Sequence, residues 1–276
     1  MRLSTKLTIA MSLVAGLLYV PISSAKADQI AFAVDNTGNL SSVDLTTATA
    51  TLIGPTGQLL EGLAISPQGS LFGTDAFGGL YSISTTTGAA TSIGNTGLGD
   101  VEGLAFNGAT LIGTDFSGFG GATTISAINT STAAATTITS FLQGPVRAMA
   151  VVDPNTVDVA SDSPISQSLV QVDLSTGTNS VLGQLPSMGA ALIAALNFGT
   201  DGVLYALDPS GNEFVISSNG AGTLVGNTGG QYWLDMTTAT AVAGVPEPDS
   251  LGLLLIAALA LVGMRAWRRS GSATQG

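Results

Sequence analysis

A five-residue pattern that ends in aspartate recurs along this chain, and the repeat constrains the fold more than any other feature. Its five copies are residues 31–35, 71–75, 111–115, 158–162 and 204–208. Their final aspartates are 40, 40, 47 and 46 residues apart. Other short segments of alternating apolar and polar residues recur between the copies. Each unit therefore holds four short strands separated by turns that contain Gly, Asn, Thr and Asp. A period of about 40 residues with four strands per unit indicates a repeat architecture of antiparallel hairpins.

The order of the strands within each unit resembles β-propellers of the NHL or lactonase-like kind. Residues 61–65 read EGLAI and residues 102–106 read EGLAF, and each precedes a segment of the kind that reads LYALD at 204–208. The resemblance implies an all-β fold, a five-bladed β-propeller with four antiparallel strands in each blade. A parallel β-helix is the rival fold, but its rungs are shorter and it lacks hairpins.

The two ends of the repeat region predict how the ring closes. The region opens with a second-strand segment at 30–35 and finishes with a first-strand segment at 233–237. Five copies of the other three strand types require five first strands, of which only four are internal. We therefore expect the C-terminal strand to complete the N-terminal blade and to leave no open sheet edge.

Three charged residues fall at equivalent places, at the starts of first strands in adjacent units, and define a candidate binding mouth. They are Glu61, Glu102 and Arg147. Ala194 and approximately Trp233 fill the remaining two places. Antiparallel alternation puts all five on one face of the disc, which makes this face the candidate for ligand binding.

Two interpretations of the mouth remain open. Glu-Gly at this place is similar to gluconolactonase-like propellers, in which the resemblance implies that the glutamate binds a divalent metal. Glu61 and Glu102 would then both coordinate one cation, such as calcium, and carbonyl oxygens would supply further ligands. In the other interpretation the carboxylates are solvated and Arg147 pairs with one of them. Because Arg147 opposes a cation, we expect the second arrangement, with no metal and no other cofactor.

The residue types restrict catalysis. The chain contains no histidine and no cysteine, so His-based triads, His or thiolate metal sites and disulfides are excluded. An acid–base pair drawn from Glu61, Glu102 and Asp100 remains chemically feasible, as in a glycosidase. We do not expect an enzyme. Converging acids with shifted pKa values in a deep channel would favour one, and a shallow, solvent-filled face would favour a binding module.

The charge of the repeat region limits its partners. Residues 28–244 contain one arginine and sixteen of the eighteen acids, a formal charge of about −15. Such a surface repels phosphate backbones, which excludes nucleic acid as a partner. It also favours solubility, and we expect a monomer.

The N-terminal segment has the three parts of a secretory signal. Arg2 and Lys6 are basic, residues 7–20 are apolar, and Ala25 and Ala27 supply the small residues that a signal peptidase reads. We therefore assign residues 1–27 to a signal peptide that is cleaved after Ala27, and residues 28–244 to the propeller body.

The C-terminal segment has a second three-part signal. Pro246, Glu247 and Pro248 precede an apolar run at 251–264, and Arg265, Arg268 and Arg269 follow it. This order resembles the PEP-CTERM sorting signal, which implies recognition and processing by an exosortase at the surface of Gram-negative bacteria. The basic stop is expected to stay cytoplasmic, which places the body outside. The alternative is a plain membrane anchor that is never cleaved.

Together these features predict a destination and a function class. Residues 245–269 form the sorting signal with a transmembrane helix, and residues 270–276 form a cytoplasmic tail. The chain is expected to cross the inner membrane, to be anchored as a precursor, and to reach the cell surface or the extracellular matrix. There we expect a non-catalytic interaction module associated with exopolysaccharide or biofilm, with signal peptidase and exosortase as processing partners. The alternative is a secreted hydrolase or lactonase-like enzyme.

The two signals predict a specific processed product. In a host with an exosortase, the mature chain should begin at Asp28 and lack the residues beyond Pro248. Mass spectrometry of the released protein measures both ends. Peptides that contain Trp267 in the released form would contradict sorting and would favour the plain anchor.

Overall fold

The computed structural model describes residues 29–115, 122–142, 144–163, 166–187, 192–229 and 231–238. This part of the chain forms strands, and it contains no helix long and apolar enough to cross a membrane. The predicted signal peptide, sorting signal and tail lie outside the described residues.

The strands form five separate antiparallel sheets of four strands each. Blade 1 contains β1 (Ile30–Asp35), β2 (Asn39–Asp44), β3 (Thr49–Pro55) and β20 (Trp233–Thr238). Blade 2 contains β4 (Gly62–Ile65), β5 (Leu71–Thr74), β6 (Gly79–Ile83) and β7 (Ala90–Asn95). Blade 3 contains β8 (Val101–Asn107), β9 (Thr110–Asp115), β10 (Ala122–Ile128) and β11 (Ala135–Leu142). Blade 4 contains β12 (Val146–Asp153), β13 (Thr156–Ser163), β14 (Ser166–Asp173) and β15 (Asn179–Gln184). Blade 5 contains β16 (Ala195–Phe198), β17 (Leu204–Leu207), β18 (Asn212–Ile216) and β19 (Gly222–Asn227).

The first strand of each blade lies in an inner ring. Neighbouring inner strands contact one another in the order β20, β4, β8, β12 and β16, and β16 contacts β20 again. All strand pairings are antiparallel within the described residues, which excludes the parallel β-helix. The predicted all-β propeller of five four-stranded blades is therefore confirmed.

The C-terminal strand completes the N-terminal blade, as the sequence predicted. β20 pairs with β1 in a ladder that aligns Ala31 with Thr238 and Ala33 with Met236. The register shifts at Asp35, which pairs with Trp233. Because β20 also contacts β4 and β16 on its two sides, one strand from the chain's C-terminal part joins the ring.

The repeated aspartates shape the hairpins between the second and third strands. Asp35 accepts hydrogen bonds from the backbone amides of Thr37 and Asn39 at 2.9 and 3.0 Å. The same turn ends with Gly38 at a φ of 76°, a left-handed conformation that glycine adopts without strain. Asp75 and Asp208 accept the equivalent pairs of amides in their own turns. A local capping requirement therefore accounts for three of the five repeated aspartates.

The core is divided into clusters that join neighbouring blades. Leu60 and Leu63, for example, pack with Leu40 of blade 1, so that this cluster joins blades 1 and 2. The equivalent cluster between blades 5 and 1 will be called the closing seam. Its principal members are Ala195, Tyr205, Leu207, Val43, Leu45, Trp233 and Met236. Burial of apolar area between blades, at roughly 25 cal/mol per Å², supplies the main stabilisation of such a ring.

The closing seam predicts different costs for two adjacent aromatic residues. Trp233 is fully buried and donates its Nε1 hydrogen to Thr228 at 2.7 Å, whereas Tyr232 is 52% exposed. Trp233→Ala should lower the free energy of unfolding by about 3–5 kcal/mol, because it leaves a large cavity in the seam. Tyr232→Ala, the matched control, should change it by less than about 0.5 kcal/mol. Urea unfolding measures both, and equal costs would contradict closure through Trp233.

Candidate functional site

The three charged residues that the sequence singled out lie at the starts of inner strands and line one cavity. Glu61, Glu102 and Arg147 contribute to a cavity of about 430 Å³ on the face where the inner strands begin. Ala194 occupies the fourth equivalent place, as expected. The fifth place belongs to Leu234 rather than Trp233, because Asp235 pairs with Val34 just as Gly62 pairs with Thr74. The bulge between Val34 and Asp35 shifts this strand by one residue, a shift that sequence spacing does not reveal.

The residue after each mouth glutamate is glycine because the neighbouring chain approaches closely. A Cβ atom on Gly62 would lie 2.8 Å from the backbone oxygen of Val101, in the adjacent blade. A Cβ atom on Gly103 would lie 2.6 Å from the hydroxyl of Thr114. Both distances are shorter than real Cβ contacts, so the Glu-Gly pair is a packing requirement as well as a sequence motif.

A third acid joins the two glutamates. Glu61, Asp100 and Glu102 each place one carboxylate oxygen within 4.8 Å of the others. One oxygen of Asp100 and one of Glu102 are buried and lack a hydrogen-bond partner. The sequence suggests Asp100 only as one acid of a hydrolase pair. Its contact with the glutamates follows from its place just before β8. We call these three residues the acid cluster.

Burial changes the protonation of the acid cluster. Burial, together with a hydrogen bond to Glu61 and the negative charge of Glu61, raises the pKa of Asp100 to about 8. Burial also raises the pKa of Glu102 to about 7, although the Arg147 guanidinium opposes this rise. Asp100 therefore keeps its proton at neutral pH, which relieves repulsion among three carboxyl groups. The expectation that the mouth carboxylates are solvated is wrong for Glu102, because its side chain is only 15% exposed.

Arg147 is held in place by a buried polar network. Its Nε donates to Asp162 at 2.5 Å, and its Nη1 lies 3.4 Å from Glu102. Gln167 donates to the other oxygen of Asp162 at 2.9 Å, and its own carbonyl accepts the amide of Ile193 at 2.7 Å. Asp162 thus accepts hydrogen bonds from both Arg147 and Gln167. The arginine is fixed on the cavity wall by groups from blades 3 and 4.

Asp235 is an inner-strand acid that the sequence analysis missed. It lies on β20 at the place that Gly62 occupies on β4, and it is 3% exposed. Its two oxygens accept the amides of Leu63 at 2.6 Å and Met236 at 2.8 Å. Burial raises its pKa well above the ordinary value, although both amides oppose the rise. It therefore joins β20 to β4, and an alignment of the closing strand in the correct register would have found it.

The acid cluster has the spacing of a metal site but supplies only part of a calcium ligand set. Calcium takes six to eight oxygen ligands, whereas this cluster supplies three carboxyl groups. The Arg147 guanidinium beside Glu102 opposes a second cation, and the proton on Asp100 already lowers the negative charge. A proton on Asp100 and the Arg147 guanidinium both reduce the negative charge of the acid cluster.

Comparisons with known proteins agree with the fold. No protein family model matches the sequence, and no curated protein matches it. A chain from the nidogen–laminin complex is similar in structure, with a TM-score of 0.53, 14% identity and coverage of 78% of this chain and 82% of that one. A gluconolactonase of Xanthomonas campestris, important in glucose secondary metabolic pathways, gives a TM-score of 0.50 and 13% identity, with coverage of 74% and 78%. At these identities the likeness shows the fold alone: the body resembles β-propellers related to the gluconolactonase and NHL type.

The raised pKa of Asp100 predicts a pH-dependent stability. Its proton is bound more tightly in the folded chain, so the stability that it contributes is lost as the pH rises from the ordinary value of 3.8 towards about 8. The melting temperature of Asp100→Asn, relative to wild type, should therefore rise between about pH 5 and about pH 8. Calorimetry at several pH values measures this difference.

Asp173→Asn is the control for this prediction. A hydrogen bond from Ser175 lowers the pKa of Asp173, so its contribution is already complete at about pH 5 and should stay constant above it. If the difference in melting temperature between Asp100→Asn and wild type stays constant from about pH 5 to about pH 8, the acid cluster does not retain a proton.

Proposed function

We propose that this chain is an exported propeller, sorted at the membrane and displayed at the cell surface or in the extracellular matrix, where it binds polysaccharide without catalysis. The export step is supported by the signal-like residues 1–27, and the sorting step by the Pro-Glu-Pro, apolar and basic order of residues 245–269. Signal peptidase and an exosortase would be the processing partners. The binding step is supported by the mouth.

The composition of the mouth carries the binding proposal. Tyr232 is 52% exposed on the cavity wall, and Arg147 and the acid cluster offer hydrogen-bonding groups beside it. An exposed aromatic ring next to fixed polar groups suits a sugar ring, which presents an apolar face and a belt of hydroxyls.

The charge of the body selects among polysaccharides. One arginine and sixteen acids in residues 28–244 give a negative field around the mouth. Uronic-acid sugars would be repelled by this field. Neutral sugars or amino sugars are therefore the favoured ligands.

A hydrolase is the second candidate, and the acid cluster favours it. Asp100 carries a proton at neutral pH close to Glu102, which is the pairing of acid and base that hydrolysis of a glycoside or lactone needs. The cavity of about 430 Å³ is large enough for a small ligand. Asp100 would act as the general acid in this alternative.

Calorimetric titration with neutral, amino-sugar and uronic-acid oligosaccharides tests the proposal. Binding of a neutral or amino sugar is expected, and Tyr232→Ala should weaken it by about tenfold through the loss of ring stacking. Phe77→Ala is the matched control, because Phe77 is 84% exposed and does not line the cavity. Millimolar calcium should leave the affinity unchanged.

The same mixtures distinguish the two candidates. Proton NMR of each mixture over time should show the oligosaccharide intact, and a lactone added as a second probe should not open faster than in buffer. Turnover that Asp100→Asn abolishes would overturn the non-catalytic proposal in favour of the hydrolase. Absence of binding by all three sugar classes would overturn the polysaccharide proposal.

A further inference from the structure

One structural position carries an aliphatic side chain in four blades and a glutamate in the fifth. The position is on the third strand of each blade, at the last pair before the register shifts against the fourth strand. Its occupants, in blade order, are Leu40, Leu80, Ile125, Leu169 and Glu213. All five are 0% exposed. Glu213 therefore replaces a core leucine or isoleucine of the repeat.

The equivalent residues show where Glu213 lies. Leu40 packs in the cluster between blades 1 and 2, and Leu80 in the cluster between blades 2 and 3. Ile125 and Leu169 occupy the next two clusters in the same way. By this equivalence Glu213 lies at the closing seam, between blades 5 and 1. Consistent with this, a Cβ atom on its strand partner Gly226 would lie 2.9 Å from Cβ of Ala48 in blade 1.

Neither carboxyl oxygen of Glu213 has a hydrogen-bond partner, and both are buried. An ionised carboxylate without partners in an apolar cluster would carry a large desolvation cost. Burial, with a smaller contribution from the negative charge of Asp44, accordingly raises the pKa of Glu213 to about 8. The side chain is a neutral acid below this pH.

Among the described residues, the groups around Glu213 offer no compensating positive charge. From blade 1, Asp44 at the end of β2 acts on it, and from blade 5 its charge acts on Tyr205 of β17, which donates to Asp201. The described residues contain a single Lys or Arg, and this residue, Arg147, is bound to Glu102 and Asp162 at the mouth. Loss of the proton therefore places an uncompensated negative charge near Asp44.

We propose that Glu213 makes the closing seam a proton-dependent contact, closed while its carboxyl group is protonated and loosened when the proton is lost. The sign follows from linkage. The folded chain holds this proton more tightly than the unfolded chain, so the stabilisation is complete below the ordinary value of 4.5 and is lost as the pH rises through about 8. This device is independent of the proposed function, because Glu213 does not line the mouth cavity.

Trp233 reports on the seam directly. It is fully buried in the same cluster, and Trp267 is the other tryptophan of the chain. In the full chain with Trp267→Phe, tryptophan fluorescence and its quenching by acrylamide are followed from about pH 6 to about pH 9.5. A shift of the emission to longer wavelength and stronger quenching are expected, with a midpoint near the pKa of Glu213.

Two replacements and a control separate this proposal from general alkaline loosening. Glu213→Gln should remove the step because the amide does not titrate, and Glu213→Leu restores the residue type of the other blades and should remove it as well. Asp158→Asn should keep the step, since Asp158 is another buried acid with a raised pKa but lies in blade 4. A flat wild-type titration overturns the proposal, and so does the same step in either folded Glu213 variant.

Discussion

The ladder between β1 and β20 is the interaction on which the rest of this structure depends. It is the one pairing that joins strands from opposite ends of the described chain, and it turns a row of hairpin units into a ring without an open inner edge. The same strand places Trp233 in the closing seam and presents Leu234 to the mouth, and Tyr232 lines the mouth just before the strand begins. It also supplies Asp235, whose carboxyl group accepts an amide of β4. Ring closure and the shape of the mouth thus depend on one strand.

The chemistry of the molecule is concentrated where the repeat is broken. Equivalent places hold Glu61, Glu102 and Arg147 in three blades but Ala194 and Leu234 in the other two, so the mouth is asymmetric. Asp235 and Glu213 each replace a small or aliphatic residue that neighbouring blades keep. A repeat supplies the scaffold, because each blade buries its apolar faces against its neighbours. Departures from the repeat supply the polar groups that a ligand or a proton would recognise.

The sequence predicted the blade number, the strand order and the closing strand, because strand periodicity and turn residues are local signals that each unit repeats. It also brought Glu61, Glu102 and Arg147 to one face. It did not predict the burial of Glu102 or the proton on Asp100, since both depend on how closely adjacent inner strands approach. The one-residue error at Trp233 came from a bulge, and the same error hid Asp235. Local pattern therefore specified the scaffold, whereas the electrostatics of the mouth required the packed structure.

Native-state hydrogen exchange at about pH 6, where Glu213 is protonated, tests ring closure most directly. If the β1–β20 ladder holds the ring together, its amides should open only with global unfolding, and their free energy of opening should equal that of β5 and β9 in blades 2 and 3. The exposed outer strands β3 and β19 should open at lower free energy by local fluctuation. Exchange of β20 amides at a markedly lower free energy, while blades 2 and 3 stay protected, would show that the propeller does not depend on its closing strand.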